Sequence, residues 1–332
     1  MVKRYGPGPV PCHDVVGIVT AISSSDLSNS KPKIETGDKV MGLIDFDRDG
    51  AAAEEVIMLE HEICKLPRRS QIFSDGQKEQ QWDEMLATIP LAGLTAWQAL
   101  FQKGELREPD GEGSTADEEV TGDGGRQSLS EVKKLLITGA SGAVGLLAVQ
   151  LAIAARSPTQ SIDIVAIASD RHLEAVRQLG ADFVVPAAIE DVRGAIEQHG
   201  PFDLVLEMTG GSLRDAILSM HRSISGTEDN SSRLLTSTGK VVSITAPLTK
   251  SVQPHLSLSE TDSADLEKKF DFFIVRPDAV QLGHIAKLME TGRLRGFVHD
   301  EVFSLERGRE ALEECEKRAR EGIGKVVIRV AI

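Results

Sequence analysis

Cysteine is scarce and scattered in this chain of 332 residues: Cys12, Cys64 and Cys315 lie far apart, and no Cys-x-x-Cys occurs anywhere. That excludes a disulfide framework and a zinc ribbon, and it fits a reducing compartment. Positive charge is also short, with 37 basic against 51 acidic residues and a net charge of −14. No basic footprint for nucleic acid or an anionic membrane is present. No run approaches the roughly 18 apolar residues of a membrane span, and Met1 to Pro11 lacks the apolar core of a secretory signal, so a cytoplasmic address is expected. What is there is 41% apolar residues, enough to build the cores of about two domains.

The most informative stretch runs from Leu135 to Ala152: an apolar strand, then Thr-Gly-Ala-Ser-Gly-Ala-Val-Gly from Thr138, then residues at helical spacing. Gly139, Gly142 and Gly145 let the chain turn sharply, admit phosphates close to the backbone and let the new helix pack on its strand. Ser141, Ala143 and Val144 complete a helix start whose N–H groups face an anion. Asp163 to Ala168 supplies the second strand of a βαβ unit, so the pattern reads as a dinucleotide-binding turn.

From Leu135 onward strands and helices alternate. Strands are predicted at Lys134–Thr138, Asp163–Ala168, Phe183–Val185, Asp203–Glu207, Lys240–Ile244 and Asp271–Val275, and helices at Gly142–Arg156 and Arg171–Leu179. This predicts an α/β class: a Rossmann doubly wound parallel sheet over residues 131–294. Before it, strands are expected at Val15–Ile22, Asp38–Ile44 and Ala53–Leu59, and helix at Trp82–Phe101. After it come a helix at Ala279–Thr291 and strands at Val298–Phe303 and Lys325–Val330. Residues 1–101 and 295–332 thus form a second, smaller β-rich domain, discontinuous in sequence. Residues 104–128 carry eight acids against Arg107 and Arg126 and have little to bury, so a disordered acidic insertion is expected. Ile224–Arg233 and Pro254–Asp265 read as shorter solvated loops.

Several segments together resemble the medium-chain dehydrogenase/reductase superfamily, in its zinc-independent quinone oxidoreductase and enoyl reductase branch. They are Pro11 to Val19, the Gly-Asp-Lys-Val-Met-Gly run from Gly37, the Leu-Ala-Gly-Leu-Thr-Ala-Trp run from Leu91, the glycine turn, Leu179 to Asp182, Phe202 to Glu207, Thr238 to Ser243 and Gly324 to Ile328. The resemblance implies a GroES-like β domain beside the Rossmann domain, with hydride transfer in the cleft between them. Relatives have about fifty residues ahead of the Gly-x-Asp motif, so the GroES-like domain is expected to be N-terminally incomplete.

The resemblance further implies that Thr95 and Ala96, then Thr209, Gly210 and Gly211, then Ile244, Thr245 and Ala246 surround the nicotinamide end of a cofactor. Two readings stand for Thr95, which either faces that ring or bonds within its own helix. Phe273 and Val275 either flank the ring or are simply the last strand. Lys325 either reaches the cofactor or is an exposed strand lysine. At the end of the second strand Ser169 stands where an NAD site places a carboxylate, and Arg171 suits a 2′-phosphate, so NADPH is the expected cofactor. Asp170 favours NAD if it points inward and merely caps the next turn if it points outward.

Metal is not expected. Zinc-dependent relatives use a Gly-His-Glu histidine, whereas Cys12-His13-Asp14 puts Asp14 in the glutamate's place, and one histidine makes no zinc site. Tyr5, the only tyrosine, lies in the unmatched leader, so no general acid is assigned and the catalytic side chains stay unknown. The expected activity is hydride transfer to a quinone or an activated C=C bond in an enal, enone or enoyl thioester. The other reading is a catalytically weak NADPH-binding sensor or partner subunit. The expected partner is this small-molecule substrate, with no nucleic acid and no membrane, in a possible homodimer.

Overall fold

The computed structural model describes residues 10–23, 34–68, 79–109, 131–222, 233–248, 256–318 and 323–330. They divide into two compact units, one of residues 1–95 and 275–332, the other of residues 96–274.

The second unit is built on a six-stranded parallel sheet: β4 (Glu131–Ile137), β5 (Gln160–Ala168), β6 (Phe183–Pro186), β7 (Phe202–Glu207), β8 (Leu235–Ser243) and β9 (Phe270–Phe272). Their spatial order is β6-β5-β4-β7-β8-β9, the doubly wound order in which direction reverses between β4 and β7. Both faces are covered, which is why the central strands read as unbroken apolar runs. Leu136, Val205 and Val241 face a core shared with α5 (Ile189–His199), α6 (Gly211–Leu218) and α7 (Glu260–Lys269). Leu135 and Ile137, equally buried, alternate to the other face, where α3 (Ala143–Ala154) packs on β4 and β5.

The first unit holds an antiparallel sheet of β1 (Asp14–Ile18), β2 (Lys39–Leu43) and β3 (Ile63–Lys65), with helices α1 (Glu79–Leu86) and α2 (Pro90–Trp97), the last crossing the unit boundary. α8 (Ala279–Glu290) packs on β3, and β10 (Val298–Ser304) pairs in parallel with β11 (Lys325–Arg329) around α9 (Gly308–Arg318).

Several expectations are corrected. Ala53–Leu59 is no strand. Ile57 there is exposed, and β3 takes the place beside β2. The reason is Glu62, fully buried, which accepts the backbone N–H groups of Leu59 and Asp45 and pairs with Arg48. Burial raises the pKa of Glu62, but these donors outweigh it and hold the carboxyl below its ordinary range. The helix expected at Trp82–Phe101 breaks at residues 87–89 and restarts with Pro90 in its first turn, then continues as a π-helical stretch over Gln98–Lys103.

The Rossmann unit ends at Ile274 and not at 294, because α8 packs on β3 of the first unit. The tail strands form a two-stranded sheet of their own. Residues 104–109 of the expected insertion are ordered: Leu106 is buried, Glu105 pairs with Lys240, and Arg107 donates through its backbone N–H to Gln160 Oε1 at 2.9 Å. Residues 110–128 lie outside the described residues. The expected loop Pro254–Asp265 contains a buried Leu256 and the start of α7, which Ser259 caps by accepting from Asp262 N at 3.1 Å. Arg233, expected in a solvated loop, is buried, and the rest of that loop lies outside the described residues.

Candidate functional site

The C-terminal edge of the parallel sheet gathers most of the predicted site residues of the second unit. Just past β4 stands Thr138, whose hydroxyl donates to Leu206 O at 3.3 Å and accepts from Met208 N at 2.9 Å, tying the β4 end to the β7 end. Gly139 follows with φ of 65°, a left-handed conformation that disfavours a side chain. Ala140 N bonds Ile167 O at 2.8 Å, so the turn is also fastened to β5. Gly145 lies so close beneath it that a Cβ would stand 2.3 Å from Gly139 O, and only glycine fits there. Gly142 caps α3 with no side-chain hydrogen bond. The N–H groups of Ala143, Val144 and Gly145 therefore open the helix without an intrahelical acceptor, beside a half-buried Ser141. A close-packed glycine cradle under an uncapped helix start fits the pyrophosphate of a dinucleotide.

Ser169 and Arg171 lie just past β5, the strand next to β4. Arg171 is exposed. Asp170 is exposed too, on the first residue of a short 3₁₀ turn. A residue missed by sequence reasoning, His172, stands 2.9 Å by Nδ1 from Ser169 Oγ. Burial and then the Arg171 charge push the imidazole below its ordinary pKa.

Glu207, the last residue of β7, is the second missed residue. It is fully buried, yet no described lysine or arginine pairs with it. Its Oε1 accepts from Thr209 N at 2.8 Å, Gly210 N at 2.6 Å and Thr209 Oγ1 at 3.1 Å. Its Oε2 accepts from Ser243 Oγ at 2.8 Å and Thr245 Oγ1 at 2.6 Å. Thr209, Gly210, Thr245 and Ile244, whose N–H bonds Glu207 O at 3.2 Å, are thereby brought together, with Gly211 opening α6 and Ala246 closing the loop. A carboxylate ending an apolar strand just before Thr-Gly-Gly was the signal available in the sequence. Phe273 N reaches Ser243 O at 3.3 Å one residue beyond β9, so the last strand stops at Phe272 and not at Val275.

The other predicted residues fall in the first unit. Thr95 spends its hydroxyl on Leu91 O at 2.7 Å, within its own helix. Val275 is buried. Lys325 is neither free nor fully exposed: its ammonium pairs with Asp14, whose other oxygen accepts from Leu91 N at 2.6 Å. His13 Nδ1 lies 3.2 Å from Ile44 O, with its ring against Phe46. Asp14 is taken up by Lys325 and Leu91, and His13, whose Nδ1 bond to a carbonyl is one that a ligating histidine would also make, cannot hold a catalytic zinc alone. Among the described residues no three His, Cys, Asp or Glu side chains converge to hold a metal.

Residues 179–328 match a family model described as zinc-binding dehydrogenase. A protein of Arthroderma benhamiae named "Probable zinc-binding oxidoreductase, mitochondrial" is 30% identical over 324 residues, covering 97% of this chain and 80% of that protein. The NAD(P)H oxidoreductase RTN4IP1, mitochondrial, of Drosophila melanogaster is 35% identical over 132 residues, which span 39% of this chain and only 27% of that protein. Among solved structures, the quinone oxidoreductase of Coxiella burnetii superposes with a TM-score of 0.67 at 23% identity, over 97% of this chain and 80% of that one.

Proposed function

Since the chain belongs to the zinc-binding dehydrogenase family, within the medium-chain dehydrogenase/reductase superfamily, we propose that it is an NADPH-dependent oxidoreductase that works without zinc and passes hydride to a quinone or an activated C=C bond. The single observation that carries the reading is the turn from Thr138 to Gly145, where a Cβ-forbidding cradle lies under an uncapped helix start. Residues Gly142 to Gly145 bind the pyrophosphate through backbone N–H groups, and the helix dipole adds to the attraction.

NADPH is preferred over NADH because the exposed Arg171 guanidinium matches the 2′-phosphate, while the residue directly after the strand is Ser169 and not an acid. Freedom from zinc is supported by the engagement of Asp14 with Lys325 and Leu91. Bound in this site, the nicotinamide supplies the hydride itself, so the protein has to orient the ring and its acceptor and keep water out. An electron-poor acceptor such as a quinone, enal, enone or enoyl thioester needs no more than that. The name of the quinone oxidoreductase neighbour points to the same class.

The test is a fluorescence titration with NADPH and NADH, followed by NADPH oxidation with a small panel of these acceptors, with and without a chelator. Tighter NADPH binding and chelator-resistant turnover are expected. Equal affinities would remove the NADPH assignment, and loss of turnover on chelation would remove the zinc-free one.

A further inference from the structure

We infer that Glu207 is a positioning residue for the nicotinamide half of the cofactor site: its buried carboxylate fixes the loops after β7 and β8 on which that half rests. The inference depends on the cofactor reading above. In a doubly wound sheet each half of the strand order takes one mononucleotide, and the dinucleotide crosses the crevice where the order reverses. Here that point lies between β4 and β7. The glycine turn and Ser169 belong to the half β4-β5-β6, so the loops at 208–211 and 244–246 belong to the half that receives the other mononucleotide.

Besides the bond of Met208 N to Thr138 Oγ1 and the bonds that Ser243 makes within the second loop, the side-chain ties of these loops converge on Glu207. Thr209 and Thr245 are exposed, as residues facing a ligand must be, yet both turn their hydroxyls inward onto one carboxylate. Every contact of Glu207 is with a donor, two backbone N–H groups and three hydroxyls. The ionised, acceptor-only form satisfies all five at once. Gly210 in turn sits where a Cβ would meet Thr245 at 3.6 Å, so the two loops lie side by side. A change at Glu207 therefore reaches the second half of the site through both loops, whereas the glycine turn, although Gly139 lies beside Thr209 and Thr138 accepts from Met208 N, keeps its own ties to Ile167 and Leu206.

Side-chain length and charge can be separated. Glu207→Gln keeps the reach: its oxygen can accept from Thr209 N and Gly210 N, and its amide can donate to the hydroxyls of Ser243 and Thr245, which rotate to accept. Glu207→Asp keeps the charge but is one methylene too short to hold both loops. Glu207→Ala leaves two N–H groups without an acceptor.

The experiment compares binding of NADPH and of ADP, which reaches the glycine turn but not the second half, by the parent and these variants. Glu207→Asp and Glu207→Ala are expected to weaken NADPH by about tenfold or more, with Glu207→Gln within about threefold of the parent and ADP within about twofold throughout. If the first two do not fold, Thr245→Val and Ser243→Ala, each removing one donor to Oε2, carry the same comparison with smaller losses. NADPH binding unchanged in every variant overturns the inference. So does equal loss of ADP and NADPH, which would mean that Glu207 holds the whole unit and not the loops. A parent that binds neither NADPH nor NADH overturns the cofactor reading itself, and the inference with it.

Discussion

Two helix starts stand side by side at the end of the parallel sheet, and they use the same backbone chemistry in opposite ways. α3 opens at Gly142 with no side-chain cap, and the residues just before it bind no carboxylate of the chain among the described residues. α6 opens at Gly210, but the N–H groups of Thr209 and Gly210 turn inward onto the carboxylate of Glu207. A helix start attracts negative charge in both cases. At α3 the anion is left to be a ligand's phosphate; ahead of α6, whose own first turn has no side-chain cap either, the chain turns the two preceding N–H groups onto its own carboxylate and gains a fixed loop. The first start thus binds and the second positions, and the difference lies in one residue at the end of β7.

The largest effect expected breaks the first member of the pair. Gly142→Asp adds a Cβ that would meet Gly139 O at a tight 3.3 Å, which a shift of a few tenths of an ångström in the turn relieves, so the fold should persist. Its carboxylate would occupy the helix start and repel phosphate, lowering dinucleotide affinity by about a hundredfold or more at a nearly unchanged melting temperature. Gly145→Val, by contrast, has no room and should lose stability as well as binding. Calorimetry beside a binding titration separates the two outcomes.

Next comes selectivity at the β5 end. Arg171→Ala should weaken NADPH by roughly ten- to a hundredfold, the loss of a charge-assisted contact of about 1.5–3 kcal/mol, and leave NADH alone. Equal weakening of both cofactors would show that Arg171 contacts something other than the 2′-phosphate.

Lys325→Met tests whether the first unit contributes to cofactor binding. Removing the partner of a mostly buried Asp14 should cost about 1–2 kcal/mol of stability, with NADPH affinity kept. A selective fall in affinity would restore the reading in which Lys325 reaches the cofactor.

The smallest effect concerns pH. His221 is fully buried and bonded to Asp265 through Nε2 at 2.9 Å; burial lowers its pKa, against the opposing pull of Asp265. His172 and His199 are lowered by burial as well. A histidine whose folded pKa lies below its unfolded value contributes stability that is fully present above the unfolded pKa and is lost as pH falls through the folded one. The melting temperature should therefore drop by a few degrees, roughly, as pH falls from about 6.5 to 5. His221→Gln keeps a donor for Asp265 without titrating and should flatten part of that slope.

The same contrast explains what was legible in the sequence. The glycine turn is a local backbone device, written in consecutive residues, and the strands around it carry apolar runs that only a sheet covered on both faces requires. Glu207 was legible only as a carboxylate ending an apolar strand, because its partners Ser243 and Thr245 lie at the end of another strand and in the loop after it, and only the fold brings them near. The same holds for Glu62, whose bonds to Leu59 and Asp45 remove a strand that alternation alone predicts at 53–59. Lys325 is another case: its partner Asp14 is 311 residues away. The unit boundary at Val275 was missed for a related reason, since the apolar face of α8 does not reveal which sheet it will cover. Local chemistry reads from the chain, while long-range polar pairing does not.

The most direct test of the central claim is transfer of label. NADPH carrying deuterium at the transferable position of its nicotinamide ring is incubated with the protein and each acceptor of the panel, and the products are examined by mass spectrometry. The account predicts deuterium in the reduced product of at least one enal, enone or enoyl thioester, or stoichiometric loss of NADPH to a quinone, both abolished by Gly142→Asp. Tight NADPH binding with no consumption and no label in any product would contradict it.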